Sequence, residues 1–213
     1  MNAPDPWDAE REQMLEGLRE HGIRDERIIA AMGRVRRHRF IPEAQRQRSA
    51  AYGDHPWEIG YGQTISQPYI VAYMIEKLAL ASGEKVLEIG AGSGYEAAVL
   101  SELGMDVYSV EVIPELAKSA LEALEAEGYR RVHVLCGDGY RGWPEYAPYD
   151  AVIASCAPGD VPPTLVAQLR EGGRMILPVG SEYQELHIIR KMKEGVEHLS
   201  DLPVRFVPMV SRP

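Results

Sequence analysis

The sequence lacks the features that mark membrane and secreted proteins. Its longest apolar stretches, such as residues 151–154 and 175–179, fall far short of the roughly 20 residues that a membrane helix needs. The first ten residues carry acids and prolines, whereas a secretory signal starts with a basic segment and continues with an apolar one. We therefore expect a cytoplasmic protein that does not cross a membrane.

Cysteine and histidine are too sparse to form the usual metal or redox motifs. Cys136 and Cys156 fall where buried strands are predicted and lack metal-ligand spacing, which favours small buried side chains over a disulfide or redox pair. The six histidines include no H-x-x-x-H spacing and no Cys/His cluster. These patterns predict a protein without a metal site.

The charge balance limits the classes of macromolecular partner. A net charge of −9 argues against general attraction to the phosphates of nucleic acids. The main basic run comprises Arg34, Arg36, Arg37 and Arg39. Such a run is usually the solvated end of a helix, and a local functional patch is the alternative.

Hydrophobic periodicity predicts one α/β domain over residues 1–213. Residues 1–80 show helical spacing and are expected to form cover helices, one behind Asp25 as N-cap and another beginning at Pro68. In residues 81–213, short apolar runs alternate with helical patterns, which predicts the sheet core and the carboxy-terminal strands.

The order of the apolar runs predicts the topology of the sheet. The first five runs lie at residues 86–89, 107–110, 132–135, 151–154 and 175–177. Neighbouring runs leave room for a crossover helix, so the sheet is predicted to be mostly parallel, buried and doubly wound in the Rossmann-like manner. Two further runs, residues 185–189 and 204–210, have no helical pattern between them and predict an antiparallel edge.

A glycine-rich turn follows the first strand of this pattern. Gly90, Gly92 and Gly94 let the backbone turn sharply and approach a ligand closely. Tyr95 stands where the dinucleotide fingerprint G-x-G-x-x-G has its third glycine, which disfavours a nicotinamide cofactor. Glu111 ends the next strand, where its carboxylate can accept hydrogen bonds from both ribose hydroxyls of an adenosine.

The spacing of these motifs resembles that of the Rossmann-like S-adenosylmethionine methyltransferases. The shared series is Glu88-x-Gly-x-Gly-x-Gly, Glu111 and the pair Asp138-Gly139. The resemblance implies that the three glycines lie under the methionine part of the cofactor, that Glu111 holds the ribose and that Asp138 reads the adenine amino group. It also implies that Glu88 orients the ammonium group through water or backbone. The structural alternative is a tight turn without ligand, with Glu88 and Asp138 as caps.

Nearly the whole chain resembles the protein-L-isoaspartate O-methyltransferase family. The signature run G-Q-T-I-S-Q-P lies within residues 60–72, and the match continues through residues 86–94, 137–139, 172–180 and 205–208. Beyond the cofactor motifs, the resemblance implies that Ser66 is catalytic. It implies further cofactor contacts from Gln63, Thr64, Ser66 and Gly139. It also implies substrate contacts from Ile65, Ser66, Arg205 and Val207. Ser66 as a simple helix N-cap is the alternative. The chain departs from the family at Trp57-Glu58, where an aliphatic residue and proline are common, which bears on substrate preference.

This resemblance implies a defined reaction. The enzyme would transfer a methyl group from S-adenosylmethionine to the free α-carboxylate of L-isoaspartyl residues in damaged proteins, acting as a monomer and starting repair through a succinimide. The motifs agree with this chemistry, because they contain no nucleophile close to a base and an ionised carboxylate needs no general base.

Three other functions remain open from the sequence. A methyltransferase could act on a small molecule or RNA, although the signature run would then need another explanation. An NAD-dependent oxidoreductase would use the same strand and acid but should show the third glycine. A non-catalytic binding module could share the fold, since fold alone does not determine function.

Overall fold

The amino-terminal part of the chain forms helices that pack on the sheet domain, as predicted. The computed structural model describes residues 5–46 and 51–211. Helices α1 and α2 span Asp8–Glu20 and Glu26–Arg34. Asp25 caps α2 as predicted, because its side chain accepts a hydrogen bond from the Arg27 amide at 2.9 Å. No helix in the described ranges is long and apolar enough to span a bilayer.

A small hairpin connects the cover helices to the main sheet. Its strands β1 and β2, at Trp57–Gly60 and Gln63–Ile65, pair in antiparallel fashion. Helix α3 follows over Pro68–Leu78 and has Pro68 in its first turn, where the missing N–H costs no helical hydrogen bond. Ala79, in the left-handed conformation at φ +46°, ends this helix.

The main sheet confirms the predicted Rossmann-like architecture. Within the described residues it contains seven strands, in the spatial order β5-β4-β3-β6-β7-β8-β9. They are β3 (Lys85–Ile89), β4 (Asp106–Glu111), β5 (Val132–Cys136), β6 (Tyr149–Ala154), β7 (Leu169–Gly180), β8 (Gln184–Lys191) and β9 (Val196–Val204). Strands β3 to β7 pair in parallel, whereas β8 and β9 form the antiparallel edge. The helices that follow β3, β4 and β6 are α4 (Tyr95–Glu102), α5 (Pro114–Ala126) and α6 (Pro163–Gln168).

Both faces of the parallel strands are buried. Val86 and Ile153 belong to the cluster that contains the cover helices, whereas the neighbouring residues Leu87 and Val152 belong to the cluster on the other face. This alternation follows from the two-residue period of a strand and explains why the runs are continuously apolar.

The strand order places a switch point between β3 and β6. From β3 the chain moves outward to β4 and β5, then crosses back to β6 on the other side of β3. The loops after the two central strands therefore diverge and leave a crevice at the carboxyl ends, which is where open α/β sheets bind ligands.

The prediction of a strand at residues 204–210 was wrong. The last strand, β9, ends at Val204. The following segment forms no strand ladder: the Ala157 amide donates to the Val207 carbonyl and the Ala157 carbonyl accepts from the Met209 amide, each at 2.8 Å, and the Phe206 amide donates to the Gln184 side chain at 2.7 Å. Between these contacts Pro208 has no N–H to donate. The true strand escaped prediction because most of its residues are exposed, so its apolar positions do not alternate clearly.

Two further interpretations need correction. Arg34, Arg36 and Arg39 are solvent-exposed, as expected for a helix end, but Arg37 is fully buried. Cys136 is exposed at the end of β5 instead of buried, and Cys156 is half-buried in the loop after β6. Both cysteines are free thiols.

Candidate active site

The carboxyl ends of the parallel strands enclose a cavity at the switch point. The cavity lies in the crevice where open α/β sheets bind ligands. Gly90 follows β3, Glu111 ends β4, and Ser155 and Cys156 follow β6; all four line the cavity, which we call the glycine-loop cavity.

The glycine loop needs its glycines for two different reasons. Gly90 and Gly92 line the cavity at φ +92° and +52°, in the left-handed region that glycine adopts without strain. A Cβ on Gly90 would sit 3.6 Å from the Cys156 sulfur. Gly94 also has a left-handed backbone, at φ +85°, but it is not among the described residues that line the cavity, and a Cβ there would approach the Leu124 side chain to 3.2 Å. It allows close packing of α5 against the loop.

Glu111 holds the glycine loop to the end of β4. The residue is 5% exposed, and its carboxylate accepts hydrogen bonds from the Gly92 amide at 2.8 Å and from the Ile113 amide at 3.0 Å. A carboxylate offers about four lone-pair positions, so each oxygen can still accept a ligand hydroxyl. Glu111 is thus available to a ribose while it also shapes the loop.

The signature run also contributes to the wall of the cavity. Its lining residues are Gln63, Thr64, Ile65 and Ser66. In the hairpin, Trp57 pairs with Ile65 and Glu58 pairs with Thr64. Trp57 and Glu58, where the chain departs from the family pattern, therefore lie on β1, the strand that pairs with Thr64 and Ile65 of the signature run.

Ser66 lies in a loop that is held from two sides. The buried Arg37 donates from Nη2 to the Ser66 carbonyl at 2.8 Å. Asp54 accepts from the Gln67 side chain and from the Tyr69 amide, each at 2.9 Å. Asp54 therefore caps the start of α3, so Ser66 is not the N-cap that the alternative interpretation proposed.

A second cavity adjoins the first. Its walls include Arg205 and Phe206 from the segment after β9. The two cavities share the lining residues Thr64, Ser66, Ser155 and Val207. Ser66 and Val207 thus lie where the cavities meet, whereas Ile65 lines only the glycine-loop cavity.

Residues 9–213 match the family model of protein-L-isoaspartate(D-aspartate) O-methyltransferase. The chain belongs to this family. It is 53% identical to the protein-L-isoaspartate O-methyltransferase of Opitutus terrae, over 93% of this chain and 86% of that protein. A solved protein-L-isoaspartate O-methyltransferase superposes with a TM-score of 0.86 at 33% identity, covering 93% of this chain and 65% of the other. A Plasmodium falciparum protein assigned to the same class, solved with S-adenosyl-L-homocysteine, shares the fold at a TM-score of 0.83 and 24% identity, covering 95% of this chain and 99% of the other.

Membership of the family makes the chain an S-adenosylmethionine-dependent protein-L-isoaspartate O-methyltransferase. A third buried carboxyl, Glu88, lies near the cavity of this methyltransferase, whose wall contains the buried Glu96 and Glu111. Glu88 is fully buried within the sheet, off the described cavity lining, and Ser109 donates a hydrogen bond to it. Burial, followed by repulsion from Glu96, raises the pKa of Glu88 well above its ordinary value. Glu88 therefore acts on the cavity only through its neighbours.

Asp138 and Gly139 form the turn after β5. The Asp138 carboxylate accepts from the Tyr140 amide at 2.9 Å and caps the short helical turn Gly139–Arg141. Gly139 lines the methyltransferase cavity, and a Cβ there would lie 2.6 Å from the Ile89 side chain. Only glycine fits at this position without displacing Ile89.

Sequence reasoning missed the residues that act through tertiary contacts. These are Arg37, Asp54, Glu96 and Ser155. Glu96 carried the strongest available signal, since it is an acid at the start of the helix that follows the methyltransferase glycine loop. The described residues contain no group of three or more His, Cys, Asp or Glu placed to hold a metal ion.

Proposed function

We propose that the two adjoining cavities divide the reaction, with S-adenosylmethionine in the glycine-loop cavity and the damaged peptide in the second. The observation that carries this proposal is the shared wall that contains Ser66. A methyl group can pass directly from one occupant to the other only where the cavities meet. The free α-carboxylate of an L-isoaspartyl residue would therefore be placed beside Ser66.

The glycine-loop cavity fits the methyl donor. The loop presents backbone without side chains at Gly90 and Gly92, which leaves space for the methionine part. Glu111 keeps acceptor capacity for the ribose hydroxyls, and Asp138 beside Gly139 is assigned to the adenine amino group. When bound, the donor supplies an electrophilic methyl group on a sulfonium.

The chain's own residues have mainly a positioning task. A carboxylate is ionised at neutral pH and is already nucleophilic, so no side chain has to remove a proton. Correct placement of two reactants can supply about 7–11 kcal/mol of a barrier. We assign Ser66 to one hydrogen bond that orients the carboxylate, with Val207 and Arg205 as contacts for the peptide.

The placement of the carboxylate also accounts for the preference for isoaspartyl over aspartyl residues. In an isoaspartyl residue the chain runs through the side-chain carbonyl, so the free carboxylate sits on a shorter arm than that of ordinary aspartate. A displacement of about 1 Å costs on the order of a hundredfold in rate.

After methylation, the following backbone nitrogen attacks the ester carbonyl, closes a succinimide and releases methanol, without a second active site.

We further assign the enzyme as a cytoplasmic monomer that does not bind nucleic acid. Residues of one chain line both cavities, so a partner chain is not needed to complete them. The net charge of −9 opposes binding to phosphate backbones. Light scattering of the purified protein, which would show a dimer directly, tests the oligomeric part of this assignment.

The decisive experiment compares two peptides that differ only in L-isoaspartyl against L-aspartyl linkage. Wild-type protein should methylate the isoaspartyl peptide and barely touch the other. Ser66→Ala should lower methyl transfer by about tenfold or more, because a hydrogen bond to a charged group is worth about 1.5–3 kcal/mol. Ser101→Ala, which removes a hydroxyl from α4 off both cavity linings, is the matched control. Similar rates on the two peptides would refute the acceptor assignment even if the donor binds.

A further inference from the structure

Glu96 is a buried carboxyl in the wall of the glycine-loop cavity, and no step described above uses it. It is the second residue of α4 and is 7% exposed. Ser155 donates a hydrogen bond to Oε2 at 3.1 Å, whereas Oε1 is buried with no hydrogen-bond partner among the described residues. A buried acceptor oxygen without a partner in the wall of a cavity is available to interact with a bound ligand.

The groups around Glu96 are acidic or neutral. Glu88 faces it from β3 and Glu111 lies at the end of β4, while Ser155 and Cys156 face it from the loop after β6. Burial raises the pKa of Glu96 to about 7, and burial also raises the pKa of the Cys156 thiol to about 12. Glu88 is fully buried, and burial raises its pKa well above the ordinary value. Glu96 is thus the carboxyl of this cluster that both lines the cavity and has an oxygen without a hydrogen-bond partner among the described residues.

The charge of the cavity's occupant changes during the reaction that we propose. Before transfer the donor carries a positive sulfonium, and afterwards it is a neutral thioether of nearly the same shape. Shape alone cannot separate two such molecules, but a carboxylate in the wall can, because only the donor carries the additional positive charge of the sulfonium.

We propose that Glu96 is a specificity-determining residue that makes the cavity prefer the cationic methyl donor over the neutral product S-adenosylhomocysteine. This inference rests on the proposed function, since it assumes S-adenosylmethionine as the donor. The preference would lower product inhibition and help the spent cofactor to leave. It does not require Glu96 to touch the transferred methyl group.

Calorimetric binding of both ligands to Glu96→Gln tests the proposal. Glutamine keeps the acceptor for Ser155 but removes the charge. At about pH 8 the variant should bind S-adenosylmethionine on the order of tenfold more weakly, equivalent to about 1.4 kcal/mol, and S-adenosylhomocysteine within about twofold of wild type. Glu125→Gln, an exposed charge removal on α5, should leave both affinities unchanged.

Proton release gives a second readout that needs only wild-type protein. A positive charge beside Glu96 lowers its pKa, so at about pH 7 the binding of S-adenosylmethionine, which has the extra sulfonium charge, should release more of a proton than the binding of S-adenosylhomocysteine. Titrations in two buffers of different ionisation enthalpy measure this difference. If a folded Glu96→Gln keeps the difference, the proton comes from another group and the proposal is wrong.

The outcomes separate this inference from the function on which it rests. If wild-type protein binds neither ligand, the proposed donor is wrong. If both bind but show equal proton release, or if Glu96→Gln weakens both equally, the donor assignment stands and the charge-selective role of Glu96 is refuted. Should the variant fail to fold, equal proton release by the two ligands in wild-type protein would still refute the proposal.

Discussion

Replacing Arg37 by methionine is expected to separate methyl transfer from folding. The Arg37 guanidinium is fully buried, lies 4.7 Å from the centre of the Tyr95 ring and donates one hydrogen bond to the Ser66 carbonyl. Its Nε and Nη1 atoms have no hydrogen-bond partner within the described residues. The side chain thus carries a buried charge whose one hydrogen bond serves the active-site loop.

The opposing contributions to stability nearly cancel. The charged hydrogen bond is worth about 1.5–3 kcal/mol, and the cation–π contact about 2 kcal/mol. Removing a guanidinium from water costs several kcal/mol, and methionine, which fills irregular apolar space, does not incur this cost. We therefore expect Arg37→Met to change the free energy of unfolding by less than about 2 kcal/mol.

The effect on catalysis should be much larger. Without its anchor the Ser66 loop can shift, and a shift of about 1 Å costs on the order of a hundredfold in rate. Because Arg37 does not line either cavity in the described residues, kcat for the isoaspartyl peptide should fall while KM and cofactor affinity change little.

Urea unfolding and steady-state methyl transfer measure the two effects. Arg34→Met is the matched control, since Arg34 is exposed and pairs with Glu102 at 2.6 Å on the surface, where such pairs contribute about 0–1 kcal/mol. Wild-type kcat in Arg37→Met would show that the Ser66 carbonyl needs no anchor. Loss of activity that only parallels unfolding would show that Arg37 has a purely structural role.

Two further predictions concern carboxyls near the glycine loop. Glu111→Ala should weaken S-adenosylmethionine binding by about 1–3 kcal/mol per lost acceptor and also destabilise the ligand-free protein, because the Gly92 and Ile113 amides lose their partner; unchanged calorimetric affinity would reject the ribose assignment. The folded-state pKa of Glu96, raised to about 7 from 4.5, means that its contribution to stability is complete below pH 4.5 and is lost as the pH rises through 7. Glu96→Gln should therefore be more stable than wild type at about pH 8, by on the order of 3 kcal/mol, with no such gain at about pH 4; equal differences at both pH values would contradict this.

Local patterns account for much of what could be predicted. The apolar runs of the five parallel strands, the Asp25 cap and the Pro68 helix start each depend on a few neighbouring residues, and the structure places all of them as predicted. The resemblance of the signature runs also led to Ser66, Glu111 and Gly90, which the structure brings to one cavity. Strand β9 was misplaced because an exposed edge strand has no buried face to impose an alternation.

The sequence by itself determined the order of the elements and the position of the glycine loop, because period, caps and glycine conformations act over a few residues. Only the tertiary structure decided that Arg37 lies beneath Ser66 and that Glu96 faces the cavity. It likewise decided that Gly94 serves packing and that Cys136 is exposed. These properties depend on which distant segments of the chain meet at the carboxyl edge of the sheet. Burial there determines whether a charged side chain is solvated, paired within the protein or available to a ligand.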